Sequence, residues 1–244
     1  MQTRKTPRKR LTHDERKALI LDRAADYLSE NGFPVRTRRL AAAAGISQRL
    51  IYYFFPNKSA LIDEIYNSAI QGPFKAIWFV ELTDRSKPVA ERLRAFYRDY
   101  FDTLLTRRWT RLLIHSSFSA QNMAPRYISG IILRLLETIV EEVAAERGVT
   151  VPPEKPVVHE IGWILHGAVS HLAIRRHLFH ANVSVPVDLV LDAQIDSFLA
   201  GFEPMIEGLK HRSGAKPVGA KKTKGQTRPG KRTRARGNKS SIDE

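Results

Sequence analysis

The chain has 244 residues, 43% of them hydrophobic, a formal net charge of +15 and no cysteine. That composition can bury a sizeable core, fits a reducing cytosolic setting, and excludes disulfides, thiolate metal sites and cysteine nucleophiles. The charge sits at the ends: residues 1–10 hold five cations and no acid, residues 211–244 hold eleven cations and two acids, and the rest holds 24 cations and 23 acids.

Residues 1–11 read as a basic, disordered arm that no apolar signal-peptide stretch follows. Residues 211–244 read as a basic, disordered tail, too poor in apolar side chains to order itself. No run reaches the ~18 uninterrupted apolar residues of a membrane span, so no membrane partner is expected. Basic arms favour polyanions through counterion release; the alternative is that they only keep the protein soluble.

Between the arms the pattern is helical. Thr12 to Glu15 has the form of a capping box with Leu11 as a staple, opening a helix that buries Ile20, Ala24 and Leu28 and stops at Asn31-Gly32. Thr37 is expected to cap a short second helix through the Ala41–Ala44 run, Gly45 to make a tight turn, and Ser47 to cap a third helix, Gln48 to Phe54. Pro56-Asn57 then opens a fourth helix with Leu61, Ile62, Ile65 and Tyr66. Further helices are expected at 88–106, 109–120, 125–147, 157–180 and 187–209. No run alternates as a strand does. The expected fold is all-α: a three-helix unit over 12–56, then a larger helical domain over 57–210.

Two short helices, 38–44 and 48–54, joined by Gly45-Ile46-Ser47, form a DNA-binding helix-turn-helix. Ile46 and Ile51 plug the space between them, which leaves the polar ends of Gln48, Arg49, Tyr52 and Tyr53 free. The stretch from Arg23 to Ile62 resembles the N-terminal domain of TetR/AcrR-type regulators. The matching features are Ala24-Ala25, Asn31-Gly32-Phe33, Thr37, Leu40-Ala41, Ala44 to Ser47, Ile51-Tyr52, Phe55 and Lys58 to Leu61. The rest of the chain matches only in size and helical character. Two departures stand out: Arg49 where the family has a small residue, often glycine, and Arg39 and Ala42 where it has acidic or other polar residues.

The resemblance implies a sequence-specific transcriptional regulator, a ligand-responsive repressor that binds a palindromic operator on double-stranded DNA as a homodimer. Thr37 and Lys58 match positions that hold phosphates; they can equally serve as a cap and a solvated lysine. Tyr52 and Tyr53 match a tyrosine and its neighbour that touch backbone and base edges, and Tyr52 can also be core. Arg49 reaches either a guanine edge or a phosphate, and Gln48 either reads adenine or is a solvated helix start. Arg38 joins this DNA-binding set. The arm Arg4–Arg10 could enter a minor groove, and Lys221–Lys239 could add non-specific affinity.

The resemblance assigns dimerisation and effector binding to the larger domain. Gly167, Ser170 and Ile174, with Leu191, Ile195 and Phe198, are the candidate dimer residues; the alternative is packing within the subunit. Trp78, Trp109, His115, Phe118, Trp163 and His166 are candidate effector-pocket residues, with plain core as the alternative. The expected effector is an apolar or aromatic small molecule, with any acidic group met by His or Arg. His177 and His180 are read as solvated or capping rather than metal-binding. No metal or cofactor is expected, and no nucleophile elbow, phosphate loop or zinc-protease motif occurs, so an enzyme is not expected. The competing reading is a general nucleic-acid-coating protein of the nucleoid driven by the basic tails. Either reading places the protein in the cytoplasm.

Overall fold

The computed structural model describes residues 11–119, 122–181 and 184–213, and all regular structure among them is helical. The arm Arg4–Arg10 and the segment Lys221–Lys239 lie outside the described residues. Helix α1 (His13–Asn31) opens on the expected capping box. The Thr12 hydroxyl accepts from the Glu15 amide at 3.2 Å, and Glu15 Oε2 accepts from the Thr12 amide at 2.8 Å. It buries Ile20, Ala24, Ala25 and Leu28 and ends at Gly32.

Helices α2 (Thr37–Ala44) and α3 (Gln48–Phe54) follow. Thr37 does not cap α2. Arg36 holds the N-cap position without a side-chain bond, and Thr37 is the first helical residue, nearly buried. The reason is local: the Arg39 amide already bonds the Arg36 carbonyl at 2.8 Å, so the helix begins one residue earlier than a Thr cap would allow. Gly45 is left-handed (φ 68°), and a Cβ there would meet the Arg23 guanidinium at 3.4 Å. Ser47 caps α3 by accepting from the Leu50 amide at 3.2 Å, and Asn57 caps α4 (Lys58–Ile65) by accepting from the Ala60 amide at 2.8 Å.

The fourth helix continues past Ile65 through a π-helical segment, Tyr66–Gln71, and a short helix α5 (Ile77–Leu82) follows that the sequence reading lacked. Helices α6 (Val89–Thr103) and α7 (Arg107–Ser117) come next. The expected 125–147 helix is three pieces: α8 (Met123–Tyr127), a π-helical turn Ile128–Ile132, and α9 (Leu133–Arg147). The last two are α10 (Lys155–His177) and α11 (Val187–Ser213).

One apolar core runs through the molecule. In the N-terminal unit Leu28, Phe33, Leu40, Ile51, Phe55 and Leu61 are each at most 2% exposed. In the larger domain α6, α9 and α11 pack around α10. A Cβ on Gly162 would stand 2.7 Å from the Leu136 Cβ, so only glycine lets α10 lie this close to α9. By length and composition α10 could cross a membrane, with a mean hydropathy of 1.2. Here its apolar residues Ile161, Leu165, Val169 and Leu172 are core. Glu142, 7% exposed, is held by Arg85 at 2.9 Å and by the buried Arg92 at 2.9 Å. Arg92 also donates to the carbonyls of Lys87 and Leu82. A buried carboxylate survives only with such partners.

Candidate nucleic-acid interface and effector cavity

The packing of α3 against α1 and α2 decides which side chains are free. Ile51 is fully buried, so the residues on the other side of its helix face outward: Gln48 and Arg49 are exposed, Tyr52 is 45% exposed and Tyr53 71%. The Tyr52 hydroxyl donates to Thr37 Oγ1 at 3.5 Å, tying α3 to the start of α2. Phe54 stacks on His13 with centroids 4.7 Å apart, which fixes the end of α3 against α1.

The charge on this face is of one sign. Residues 31–62 contain no aspartate or glutamate but five cations, Arg36, Arg38, Arg39, Arg49 and Lys58. The four arginines are exposed. Elsewhere arginines pair: Arg126 with Asp63 at 2.8 Å, and Arg98 with Asp192 at 2.7 Å. A cationic face without compensating carboxylates is the electrostatic footprint of a polyanion-binding surface. Arg36 and the acid-free run were missed by the sequence reading, although the run is visible as a simple count.

Lys58 is placed differently from the arginines. Its Nζ donates to the Phe33 carbonyl at 2.9 Å and the Val35 carbonyl at 2.7 Å. It thereby latches the loop that sets the start of α2, and two of its three donors are already engaged.

A cavity of about 140 Å³ lies among α6, α7, α8, the π-helical turn and α10. Of the six residues expected to form a pocket, Trp109, Trp163 and His166 line it. Trp78, His115 and Phe118 do not. Trp78 is core, its indole N–H donating to Asp99 at 2.7 Å. His115 lies against Gly32 at the end of α1, and Phe118 is 83% exposed just past α7. Ser170 and Ile174, expected at a dimer interface, line the cavity instead. No charged side chain lines it, and burial pushes His166 down to about 4, so its imidazole is neutral near pH 7. An acidic effector group met by Arg or a charged His, as expected from sequence, has no counterpart in this lining.

Helix α7 has two working faces. Trp109, Thr110, Leu113 and Ile114 line the cavity. Its arginines grip α1: Arg108 pairs with Asp22 at 2.6 Å and Asp26 at 3.2 Å, Arg107 with Glu30 at 3.3 Å, and Arg111 with Glu30 at 3.0 Å. Arg111 Nε also donates to the Ser29 carbonyl at 2.9 Å. Beside these pairs a cleft of about 380 Å³ runs between α1 and α7. Sequence reading missed this junction because its carboxylates and arginines lie over 70 residues apart.

The stripe Leu191, Ile195 and Phe198 is at most 3% exposed and packs within the subunit, against α6 and α10. Periodicity reveals that a stripe is covered, not what covers it. The uncovered flank of the same two helices carries Ile164 (49% exposed), Gly167 with open space at its Cβ position, Leu189 (59% exposed), and the exposed small residues Ala193, Ser197 and Ala200. Among the described residues no group of three or more His, Asp or Glu is placed to hold a metal ion.

Residues 20–65 match the family model for bacterial regulatory proteins of the tetR family. No curated protein matches the chain. Solved structures share its fold. A TetR-like transcriptional regulator of Rhodococcus sp. RHA1 is 22% identical, with 80% of this chain and 99% of that one covered at a TM-score of 0.56. A proposed transcriptional regulator of Pseudomonas aeruginosa PAO1 is 22% identical, with 81% and 96% covered at a TM-score of 0.62. A tetR-family transcriptional regulator of Streptomyces coelicolor is 20% identical, with 83% and 89% covered at a TM-score of 0.54.

Proposed function

We propose that this chain, which belongs to the TetR family of bacterial regulatory proteins and is a DNA-binding transcriptional regulator, acts as a ligand-responsive repressor that binds a palindromic operator as a homodimer. The observation that carries the reading is the acid-free run 31–62 that spans the helix-turn-helix, in which Arg36, Arg38, Arg39 and Arg49, with Gln48 and Tyr53, are exposed. Phosphate contacts from this face position the protein, and Gln48 and Arg49 at the start of α3 reach base edges in a major groove. Phosphates are met by the arginines, while Lys58 organises the loop behind them.

Dimerisation uses the uncovered flank of α10 and α11, where Gly167, Ala193 and Ser197 allow close approach and Ile164 and Leu189 supply apolar area. A two-fold pair of helix-turn-helix units reads half-sites ~34 Å apart. The cavity beside α7 is the effector site. Occupancy shifts α7, whose arginines carry the N-terminal unit with it, and so favours a spacing of the recognition helices that no longer fits the operator.

Selection from random duplexes near physiological salt, with the wild type and Arg49→Ala in parallel, tests the DNA reading. A palindromic site that Arg49→Ala alters is the expected result. Affinity without a motif, falling only with salt, would replace this reading by nucleic-acid coating.

A further inference from the structure

The cavity beside α7 holds polar groups that lack partners. Thr110 and Tyr127 both line it, and the hydroxyl of each is buried without a hydrogen bond within the protein. A helical threonine ordinarily turns its hydroxyl onto the carbonyl one turn back; Thr110 does not. The Tyr127 hydroxyl lies beside that of Tyr100 without meeting it in hydrogen-bond geometry, and burial drives it far above the usual phenol range, so it stays protonated as a donor. Two unsatisfied buried hydroxyls around one small space are a costly arrangement, which a ligand with complementary groups relieves.

The remaining lining fixes the rest of the ligand. Trp109, Trp163, Tyr100 and His166 surround the space with ring faces and edges, and no lysine, arginine, aspartate or glutamate borders it. His166 Nδ1 is 3.4 Å from the Tyr97 hydroxyl, so its neutral ring already has a partner on one side. An ion entering this lining would lose its hydration with no opposite charge to replace it. The size is that of one ring: an apolar cavity of ~150 Å³ is enough for benzene.

Resting on the reading of this cavity as the effector site, we infer that it takes a small uncharged aromatic molecule bearing an oxygen that hydrogen-bonds Thr110 and Tyr127, a phenol being the simplest member of the class. The two hydroxyls select the oxygen, the aromatic walls select the ring, and the absence of fixed charge rejects carboxylates of the same shape.

The test uses the full chain and three one-ring probes of similar size: p-cresol, toluene and benzoate. Binding is followed by tryptophan fluorescence, since Trp109 and Trp163 line the site. The inference expects p-cresol to bind about tenfold or more tightly than toluene, and benzoate not to compete. Thr110→Val and Tyr127→Phe remove the hydroxyls and keep the shapes; each lowers the p-cresol preference about fivefold while leaving toluene unchanged. Both variants keep or raise the melting temperature of the free protein, because each deletes an unsatisfied polar group, so loss of folding does not obscure the result. Benzoate binding as well as p-cresol, a p-cresol preference that survives both substitutions, or no probe binding at all overturns the inference. Operator release is measured separately. Probe binding without release leaves the ligand class standing and overturns the effector reading instead.

Discussion

Arg108 and Trp109 are neighbours in sequence that face opposite partners. The Arg108 guanidinium pairs with Asp22 of α1 at 2.6 Å, while the Trp109 indole N–H donates to the Ile70 carbonyl at 3.0 Å and its ring lines the cavity. One turn of helix thus touches both the N-terminal unit and the cavity. The double variant Arg108→Ala/Arg111→Ala should bind a cavity ligand with unchanged affinity but lose most of the ligand's effect on operator affinity, read by titrating DNA with and without ligand. These pairs are partly solvent-exposed, each worth ~0.2–1 kcal/mol, so the coupling should also weaken as salt rises. Full retention of the response in the double variant would exclude this route.

Lys58 separates a structural lysine from a phosphate-binding one. Lys58→Met strands the Phe33 and Val35 carbonyls and should lower the stability of the N-terminal unit by about 2 kcal/mol, the scale of charge-assisted bonds. The slope of log K against log salt for DNA binding should stay as in the wild type, whereas Arg36→Ala or Arg38→Ala should reduce it by about one. A reduced slope for Lys58→Met would return Lys58 to the DNA contacts.

Glu142 predicts an acid limb to the stability. Hydrogen bonds from Arg85, and then from Arg92, hold its carboxyl below the usual carboxylate value of 4.5. A carboxyl depressed on folding contributes stability above its unfolded value and loses it as pH falls through the folded one. The wild type should therefore out-melt Glu142→Gln at pH 7, and the gap should narrow as pH falls below 4.5 and close once the pH passes below the depressed folded value. A constant gap from pH 7 to pH 3 would show that the carboxylate charge is not what matters at this position.

The two flanks of α11 should respond oppositely. Ser197→Arg lies on the exposed flank and should convert a dimer to a monomer by light scattering, with the melting of the subunit fold preserved. Ile195→Ala lies on the buried flank and should cost 2–5 kcal/mol, the usual range for a large-to-small core change, without selectively abolishing association. A Ser197→Arg protein that remains dimeric would move the interface elsewhere.

Local chemistry was mostly legible in the sequence where neighbours in the chain are partners in space, Thr37, which yields the N-cap of α2 to Arg36, being the exception. The Thr12–Glu15 box, the left-handed Gly45, the Ser47 cap, the helix start at Pro56-Asn57 and the buried Ile51 all involve residues within a few positions of each other, and each is found. The exposure of Gln48, Arg49, Tyr52 and Tyr53 follows from the burial of Ile51 alone. Legibility failed where the partner is distant. Nothing near Lys58 announces the carbonyls of Phe33 and Val35, and nothing near Leu191 or Phe198 says that α6 and α10 cover them. The cavity was half visible: large aromatics suggested Trp109, Trp163 and His166, but Thr110 and Tyr127 acquire their meaning only from having no partner, which no sequence pattern records.

The glycine at position 162 bears on how any ligand could do work here. With α10 seated so tightly on α9 that a single methyl at Gly162 would collide with Leu136, those two helices form an anvil rather than a hinge. On the effector reading proposed above, a molecule in the space beside α10 would meet little give from that side. Its thrust would fall instead on α7, which is tethered to the N-terminal unit by polar contacts with open cleft beside them. Stiffness in one place would thus give displacement in the other its direction.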